Sequence, residues 1–372
     1  MNEHFSGHTR RSRLNLFHID GPLLLGLLAL LIFGLFILYS ASGQNPAMMK
    51  AQLIRLGVAL AVMIAVAQIT PQTLRRWSLP VFLAGLVMLV AVLLVGHVGK
   101  GAQRWLDLGF MKFQPSEIMK LAVPMTVTWI IAQHSLPPRL WHLLLGFLAC
   151  IIPTLLIAKQ PDLGTSILIL TAGVFVLFMS GMSWRIIAFV ATAVSAFLPV
   201  LWLFLMRDYQ RQRVLTFLNP ESDPLGSGYH IIQSKIAIGS GGLEGKGYLQ
   251  GTQSQLEFLP ERHTDFIFAV ISEELGLLGV LVLLSLYLFI IGRCMYIASQ
   301  AQDNYSKLLA GSFTLTFFVY VFVNIGMVSG LLPVVGVPLP LVSYGGTSMV
   351  TLMAAFGVIM SVGTHKRILA AP

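Results

Sequence analysis

Apolar residues along this chain form ten long runs, separated by short polar or glycine-rich stretches. The runs lie near residues 22–40, 53–69, 79–96, 117–133, 141–158, 165–182, 186–206, 272–292, 309–328 and 347–364. A helix needs about 20 mainly apolar residues to cross the hydrocarbon core of a bilayer. The pattern therefore predicts an all-α polytopic membrane protein with about ten transmembrane helices.

Two connections between these runs are unusual. Residues 207–271 combine amphipathic runs such as "YHIIQSKIAIG" with glycine-rich turns, which predicts a large structured extracytoplasmic loop between helices 7 and 8. Residues 330–346, "GLLPVVGVPLPLVSYGG", carry no charge and contain several prolines and glycines, so they cannot form one continuous helix. We expect one membrane domain, residues 22–364, between an N-terminal segment (1–21) and a C-terminal tail (365–372).

Composition supports a membrane location and excludes several other classes. The 372 residues are 56% hydrophobic and 10% charged, whereas a soluble domain has about 25% charged residues. The net charge of +9 comes from scattered cations, which favours an anionic membrane surface over nucleic acid as the partner. Cys150 and Cys294 both lie in or beside apolar runs, so neither a disulfide framework nor a CxxC metal site is predicted.

The distribution of cations suggests an orientation. With ten spans and a cytoplasmic N-terminus, the C-terminus is also cytoplasmic and residues 207–271 lie outside. The cytoplasmic segments then hold Arg10, Arg11, Arg13, Arg75, Arg76, Arg139, Arg185, Arg293, Lys307, Lys366 and Arg367. Fewer cations, among them Arg55, fall at the outer face, as the positive-inside rule favours.

Six ionisable residues are concentrated in "LPERHTDFIFAVISEELG", residues 259–276. A straight helix from Asp265 to residue 292 would be about 42 Å long, against a hydrocarbon core of about 30 Å. Asp265 is therefore expected in a partly hydrated outer mouth, which suits a general base. Alternatively, Asp265 caps the helix. Glu273 and Glu274 are interpreted as structural charges paired with basic loops, because on a continuous helix at most one of them shares the face of Asp265.

Further polar residues are predicted at the outer mouth. Glu117 and Lys120, at i and i+3, would pair there, either as an interfacial salt bridge or around an anionic head group. Arg104 would be either an ordinary interfacial cation or part of the same anion site. Asp162, in "AKQPDLGTS", is either a helix cap, a partner of Lys159 or a site residue.

Arg211 and Arg213, in "DYQRQRV", begin the long loop. Interfacial arginines often anchor a helix in the membrane, but their guanidinium groups also suit a phosphate or diphosphate. Motifs for other chemistry are missing from the sequence, since it has no GxxxxGK[ST] loop, no HExxH and no GxSxG.

The motifs "FQPSEIMKLAVP", "QPDLGTS", "QRQRV", "HTDFIFAVISEELGLLG" and "NIGMVSGLLPVVGVPLPLVSYGGTS" resemble the SEDS family (shape, elongation, division and sporulation) over nearly the whole chain. The resemblance implies a ten-span peptidoglycan glycosyltransferase of the bacterial inner membrane, which polymerises lipid II on the periplasmic side together with a class B penicillin-binding protein. The family's essential aspartate matches Asp265. Its cavity residues match Arg104, Glu117, Lys120 and Asp162.

The chemistry implied by the resemblance agrees with the residues. Asp265 would take the proton of the acceptor 4-hydroxyl, while Arg104, Lys120, Arg211 and Arg213 would stabilise the departing undecaprenyl diphosphate. The only cofactor expectation is a divalent cation, Mg²⁺ or Mn²⁺, bound through carboxylates.

Two other functions remain open at this point. A lipid II flippase would also need ten spans and a polar cavity, but transporters usually have internal repeats and charges near the membrane midplane. A non-catalytic scaffold for a penicillin-binding protein would not need Asp265.

Overall fold

The computed structural model describes residues 17–99, 102–107, 112–206, 208–222, 227–256, 258–259 and 261–365. The predictions for the N-terminal segment and the C-terminal tail fall largely on residues 1–16 and 366–372, which lie outside this range. The described helices are α1 Gly21–Ala41, α2 Pro46–Ala67, α3 Pro71–Val95, α4 Pro115–Ile131, α5 Leu140–Lys159, α6 Leu163–Met179, α7 Trp184–Val200, α8 Asp208–Leu218, α9 Ser227–Gly241, α10 Thr252–Gln255, α11 Ile267–Ser299, α12 Asn304–Val328 and α13 Thr347–Thr364.

Ten of these helices coincide with the ten predicted apolar runs. By length and composition, eight described helices are suited to cross a membrane: α1, α2, α3, α5, α7 with its extension to Phe204, α11, α12 and α13. The other two, α4 and α6, have 17 residues each. The all-α polytopic class is confirmed, while a count of ten crossings stays a prediction.

Local sequence signals explain where several helices begin. The side chains of Asp20, Asn45 and Thr70 accept hydrogen bonds from backbone N–H groups in the first turns of α1, α2 and α3. A proline stands at the first position of α2, α3 and α4, where its missing N–H costs nothing. The start of α1 lies within one residue of its predicted run, whereas α2 and α3 begin about seven and eight residues before theirs, because their capped first turns are more polar than the apolar runs.

A small antiparallel sheet precedes α4 and was not predicted. Its strands are β1 His97–Gly99, β2 Ala102–Asp107 and β3 Lys112–Phe113, in the order β1-β2-β3. Arg104 lies in the central strand, so the sheet fixes the backbone that carries this predicted site residue.

The long connection between α7 and α11 is structured in its described residues. It contains α8, α9 and α10, together with a short 3₁₀ turn at Pro220–Ser222. A large structured extracytoplasmic loop over the whole of residues 207–271 stays a prediction.

Helix α11 differs from the straight helix expected from the sequence. It begins at Ile267, after Asp265, and is broken at Gly276, which has φ 61° and ψ −159°. The break forms because the segment 242–247 inserts its backbone into the helix. Leu277 and Leu278 N–H donate to the carbonyls of Gly242 and Leu243 at 3.0 and 3.2 Å, while the carbonyls of Glu273 and Glu274 accept from Lys246 N and Gly247 N at 2.9 and 3.1 Å.

The bundle has two main apolar cores. One is built largely by α1, α2, α11, α12 and α13, and the other by α3, α4, α5 and α6. A small cluster of Leu168, Tyr320 and Val337 lies beside them, joining α6, α12 and the connection 330–346.

Candidate active site

Asp265 lies in a turn just before α11, and its side chain is partly buried. The N-cap position of α11 is Phe266, not Asp265, and Phe266 makes no capping hydrogen bond through its side chain. The alternative in which Asp265 caps the helix is therefore wrong. The carboxylate faces the connection 330–346, because a Cβ at Gly336 would stand 3.5 Å from Asp265 Oδ2.

The backbone around Asp265 is held by α12 and by the connection 330–346. Three successive carbonyls, of residues 263–265, each accept a hydrogen bond from one of these elements. The bonds are Tyr344 N to His263 O at 2.8 Å, Ser343 Oγ to Thr264 O at 2.6 Å and Asn324 Nδ2 to Asp265 O at 2.9 Å.

Glu117 and Lys120 form the predicted ion pair at the start of α4. Lys120 Nζ is 2.8 Å from Glu117 Oε1, and the side chains are 12% and 9% exposed respectively. Thr351 Oγ1 of α13 donates to Glu117 Oε2 at 2.8 Å, and Lys120 Nζ lies 5.6 Å from the ring centroid of Tyr320 on α12. The pair therefore links α4 to α12 and α13.

Asp162 caps α6, which is one of the three roles that the sequence suggests for it. Its Oδ1 accepts from Thr165 N at 3.3 Å, and its Oδ2 accepts from Gln114 Nε2 at 3.2 Å. Arg104 Nη1 is 3.7 Å from Asp162 Oδ2. Arg104 also donates to the carbonyls of Gln160 and Pro161, so its guanidinium is bound to the turn between α5 and α6.

The structure places the two loop arginines on different neighbours. Arg211 donates to the carbonyls of Trp202 and Leu203, both at 2.9 Å, at the end of the α7 extension. Arg213 Nη1 donates to Val334 O at 3.3 Å. Arg213 therefore reaches the same connection that Asp265 faces.

The connection 330–346 is the common wall of the site. A Cβ at Gly164, in the first turn of α6, would stand 2.8 Å from Val335 O. The connection thus passes the start of α6 at Val335 and Asp265 at Gly336. The structure brings Asp265, Arg213 and the helix capped by Asp162 to one segment, which sequence spacing alone did not reveal.

Glu273 pairs with a basic residue of the connection 207–271, as the structural interpretation predicted, whereas Glu274 accepts hydrogen bonds from neutral side chains. Glu273 Oε1 accepts from Lys246 Nζ and Gln253 N, both at 2.8 Å. Glu274 Oε1 accepts from Ser40 Oγ at 2.6 Å and from Gln255 Nε2 at 3.2 Å.

Three polar residues near the site were missed as site residues. Asn324 and Ser343 hold the Asp265 segment. The guanidinium carbon of Arg55 lies 4.4 Å from the ring centroid of Tyr344. In the sequence, Asn324 is a single amide in an apolar run and Arg55 a single cation near the start of another, and neither pattern distinguishes a site residue.

His230 of α9 lies beside the residue that follows Asp265. Its ring stacks on Phe266 with 5.7 Å between centroids. Burial lowers the pKa of His230, and nearby Glu261 opposes this shift. Burial thus favours the neutral imidazole of His230, which contacts Phe266 through its ring.

No three His, Cys, Asp or Glu side chains of the described residues are grouped so that they could hold a metal ion. Glu117 is bonded to Lys120 and Thr351, and Asp162 to Arg104 and Gln114. The described part of the chain thus offers no preformed site for the expected divalent cation.

Comparison with known sequences identifies similar proteins along nearly the full length. The family model FtsW/RodA/SpoVE, described as "Cell cycle protein", matches residues 22–368. The peptidoglycan glycosyltransferase MrdB of Escherichia coli K12 is 57% identical over 352 residues, which are 95% of each chain. The probable peptidoglycan glycosyltransferase FtsW of Trichlorobacter lovleyi is 37% identical and covers 96% of each chain.

Solved structures share the fold. The rod shape determining protein RodA of Thermus thermophilus has a TM-score of 0.70 and 28% identity, covering 92% of this chain and 96% of its own. A chain of a peptidoglycan synthase complex, solved to explain the coordination of polymerization and crosslinking, has a TM-score of 0.81 and 32% identity. That match covers 94% of this chain and 99% of the other.

Proposed function

Since the chain belongs to the FtsW/RodA/SpoVE family of cell cycle proteins, which is the SEDS family that its sequence resembles, we propose that it polymerises lipid II with Asp265 as the general base. It is a multi-pass membrane protein and a peptidoglycan glycosyltransferase, as its similarity to MrdB indicates. The observation that carries the catalytic assignment is the position of Asp265 in a turn at the head of α11, facing the connection 330–346.

The reaction joins the 4-hydroxyl of an acceptor sugar to the sugar carbon of the donor that carries undecaprenyl diphosphate. A carboxylate within hydrogen-bond reach of the hydroxyl removes its proton as the C–O bond forms and the bond to the diphosphate breaks. Asp265 suits this role because its side chain is only partly buried, so substrate can reach a carboxylate whose backbone is held in place.

The departing diphosphate needs positive charge, since its oxygens gain negative charge in the transition state. Lys120 is paired with Glu117, and Arg104 with Asp162. We therefore assign Lys120 and Arg104 an electrostatic effect on the diphosphate rather than direct hydrogen bonds to it. Arg213 is exposed and contacts the connection beside Asp265. Arg55 is partly buried and contacts Tyr344, so Arg213 and Arg55 are assigned the direct contacts to the diphosphate.

The prenyl tail of the substrate requires an opening towards the lipid. Helix α7 buries none of its residues, so it stands apart from the bundle. An apolar cavity of about 720 Å³ lies between the end of α7 and α8, and it is lined by Ser195, Leu198, Pro199, Trp202, Leu203, Met206 and Val214. It adjoins the carbonyls that bind Arg211, and it has the size and polarity to take part of a polyprenyl chain.

We assign the partner and the orientation on the same basis. The similar chain in a peptidoglycan synthase complex supports a class B penicillin-binding protein as the partner. The cation distribution supports cytoplasmic termini and an active site on the periplasmic side of the inner membrane. A divalent cation stays a prediction, tested by adding a chelator and then Mg²⁺ or Mn²⁺ to the polymerisation assay.

The assignment of Asp265 is tested with the purified protein, its partner and labelled lipid II in detergent. Asp265→Ala and Asp265→Asn should form no glycan strands, whereas Glu221→Gln, an exposed carboxylate of the same outer loop, should polymerise like the wild type. Strands made by both Asp265 variants, at equal amounts of folded protein, would show that another group takes the proton.

A further inference from the structure

The turn that carries Asp265 is held by an unusual set of hydrogen bonds. Residues 261–266 form neither helix nor strand, so regular secondary structure does not satisfy their carbonyls. Nevertheless, the carbonyls of residues 263, 264 and 265 all accept hydrogen bonds from groups far away in the sequence. Two of the three donors are side chains, Ser343 and Asn324.

Asn324 ties Asp265 directly to the wall that it faces. Its side chain is fully buried on α12. One amide nitrogen, Nδ2, donates to Asp265 O at 2.9 Å and to Val337 O at 2.7 Å. Because an amide nitrogen has two hydrogens, both are used, and the backbones of Asp265 and Val337 are held at a fixed separation.

Ser343 secures the preceding residue. Its hydroxyl accepts from Leu339 N at 2.8 Å and donates to Thr264 O at 2.6 Å. Gln52 of α2 in turn contacts the backbone on both sides of Tyr344, at Ser343 O and Gly345 N. The turn is thus bound to α12 and, through the connection 330–346, to α2.

The hydrogen bonds of Asn324 and Ser343 to the Asp265 turn form a clamp. It matters for proton transfer, because the rate of proton transfer depends steeply on geometry. A base must lie about 2.6–3.2 Å from the proton donor, and misplacement by about 1 Å can cost about 100-fold in rate. The backbone of a short turn is flexible unless other elements hold it. A carboxylate on an unclamped turn would sample many positions away from the acceptor hydroxyl.

We propose that Asn324 and Ser343 are positioning residues for the glycosyl transfer, which fix the backbone at Thr264 and Asp265 and thereby aim the Asp265 carboxylate at the acceptor hydroxyl. This inference rests on the proposed function of Asp265. Both side chains are buried and their hydrogen bonds are to backbone groups of the protein, so their loss should slow the chemical step and leave substrate affinity largely intact.

The test measures kcat and KM for lipid II with the purified protein and its partner. Asn324→Ala and Ser343→Ala should lower kcat about 10- to 100-fold and change KM by less than about threefold. The matched control is Ser312→Ala. Ser312 lies on α12, as Asn324 does, and is equally buried, and its hydroxyl donates to Ala172 O at 2.7 Å. This control should stay within about twofold of the wild type.

Thermal unfolding in detergent corrects each rate for the folded fraction, and Ser343→Ala keeps the proposal testable if Asn324→Ala does not fold. A wild-type kcat in the folded clamp variants, with Asp265→Ala inactive, would overturn the clamp and leave the proposed function standing. Equal losses of kcat in Ser312→Ala would also overturn it, because they would reveal a general packing effect. Full activity of Asp265→Ala would instead refute the proposed function.

Discussion

At the scale of single residues, Asp265 and Glu273 show how the surroundings of a carboxylate decide whether it can accept a proton. Glu273 is fully buried and bonded to Lys246 and to two backbone N–H groups. Taking up a proton there would cost several charge-assisted hydrogen bonds. Asp265 keeps part of its side chain accessible, so it is the better proton acceptor.

Arg55 provides a residue-scale test of diphosphate binding. It is a partly buried cation of α2 that contacts the Tyr344 ring, and charged groups within membrane helices commonly mark substrate pathways. Arg55→Ala should raise KM for lipid II about tenfold, because a hydrogen bond to a charged group contributes about 1.5–3 kcal/mol. The value of kcat should change by less than about threefold, since the base remains in place.

The control is Arg76→Ala, which removes an exposed arginine near the start of α3. Steady-state kinetics of both variants give the comparison. An unchanged KM for Arg55→Ala, or an equal rise for Arg76→Ala, would remove Arg55 from the binding site.

Local residue roles could be predicted from the sequence, whereas distant ones could not. The cap by Asp162 and the Glu117–Lys120 pair depend on partners three residues away, so spacing reveals them. Asn324 binds a carbonyl 59 positions away. Single-sequence patterns contain no signal for such a contact.

At the scale of elements, α11 shows why apolar runs predict helices better than they predict helix breaks. The run itself indicated a span, but the break depends on the separate segment 242–247, which supplies hydrogen-bond partners for Glu273, Glu274, Leu277 and Leu278. The prediction of a straight helix that begins at Asp265 is therefore wrong, since α11 begins at Ile267 and is broken at Gly276. The base precedes the helix, in a turn whose position depends on tertiary contacts.

Gly276 allows a direct test of this insertion. Gly276→Ala would place a Cβ at a positive φ, against Gly245 N and 2.6 Å from Leu243 O. Backbone strain and the clash should lower the free energy of unfolding by about 3 kcal/mol or more. Gly292→Ala on the same helix meets no atom within 4 Å, so it should change stability by less than about 1 kcal/mol.

Thermal unfolding of both variants in detergent is the measurement. If Gly276→Ala unfolds at the temperature of Gly292→Ala, the inserted segment does not hold the break as described. A lower unfolding temperature for Gly276→Ala alone is the expected outcome.

At the scale of the whole molecule, the site adjoins a small apolar cluster that joins helices of the two main cores. Tyr320 of α12, Leu168 of α6 and Val337 of the connection 330–346 form this cluster. Asn324 binds the carbonyl of the same Val337. The site is thus assembled from helices of both main cores and from the connection between α12 and α13.

The fold class was predictable because ten long apolar runs require membrane helices, whereas the starts of α2 and α3 lie in polar turns outside those runs. The assembly of the site was not predictable, because the uncharged connection 330–346 contains no catalytic side chain. Its contribution is backbone and hydroxyl groups that wall and hold the Asp265 turn.

The most direct test of the central claim uses wild-type protein and its partner in liposomes that contain fluorescent lipid II. One sample is scored both for glycan strands by gel and for transbilayer movement of unreacted lipid II by a membrane-impermeant quencher. We expect glycan strands to form. Unreacted lipid II should cross the bilayer no faster than it does in protein-free liposomes. Movement of lipid II across the bilayer without strands would contradict the glycosyltransferase assignment and support a flippase.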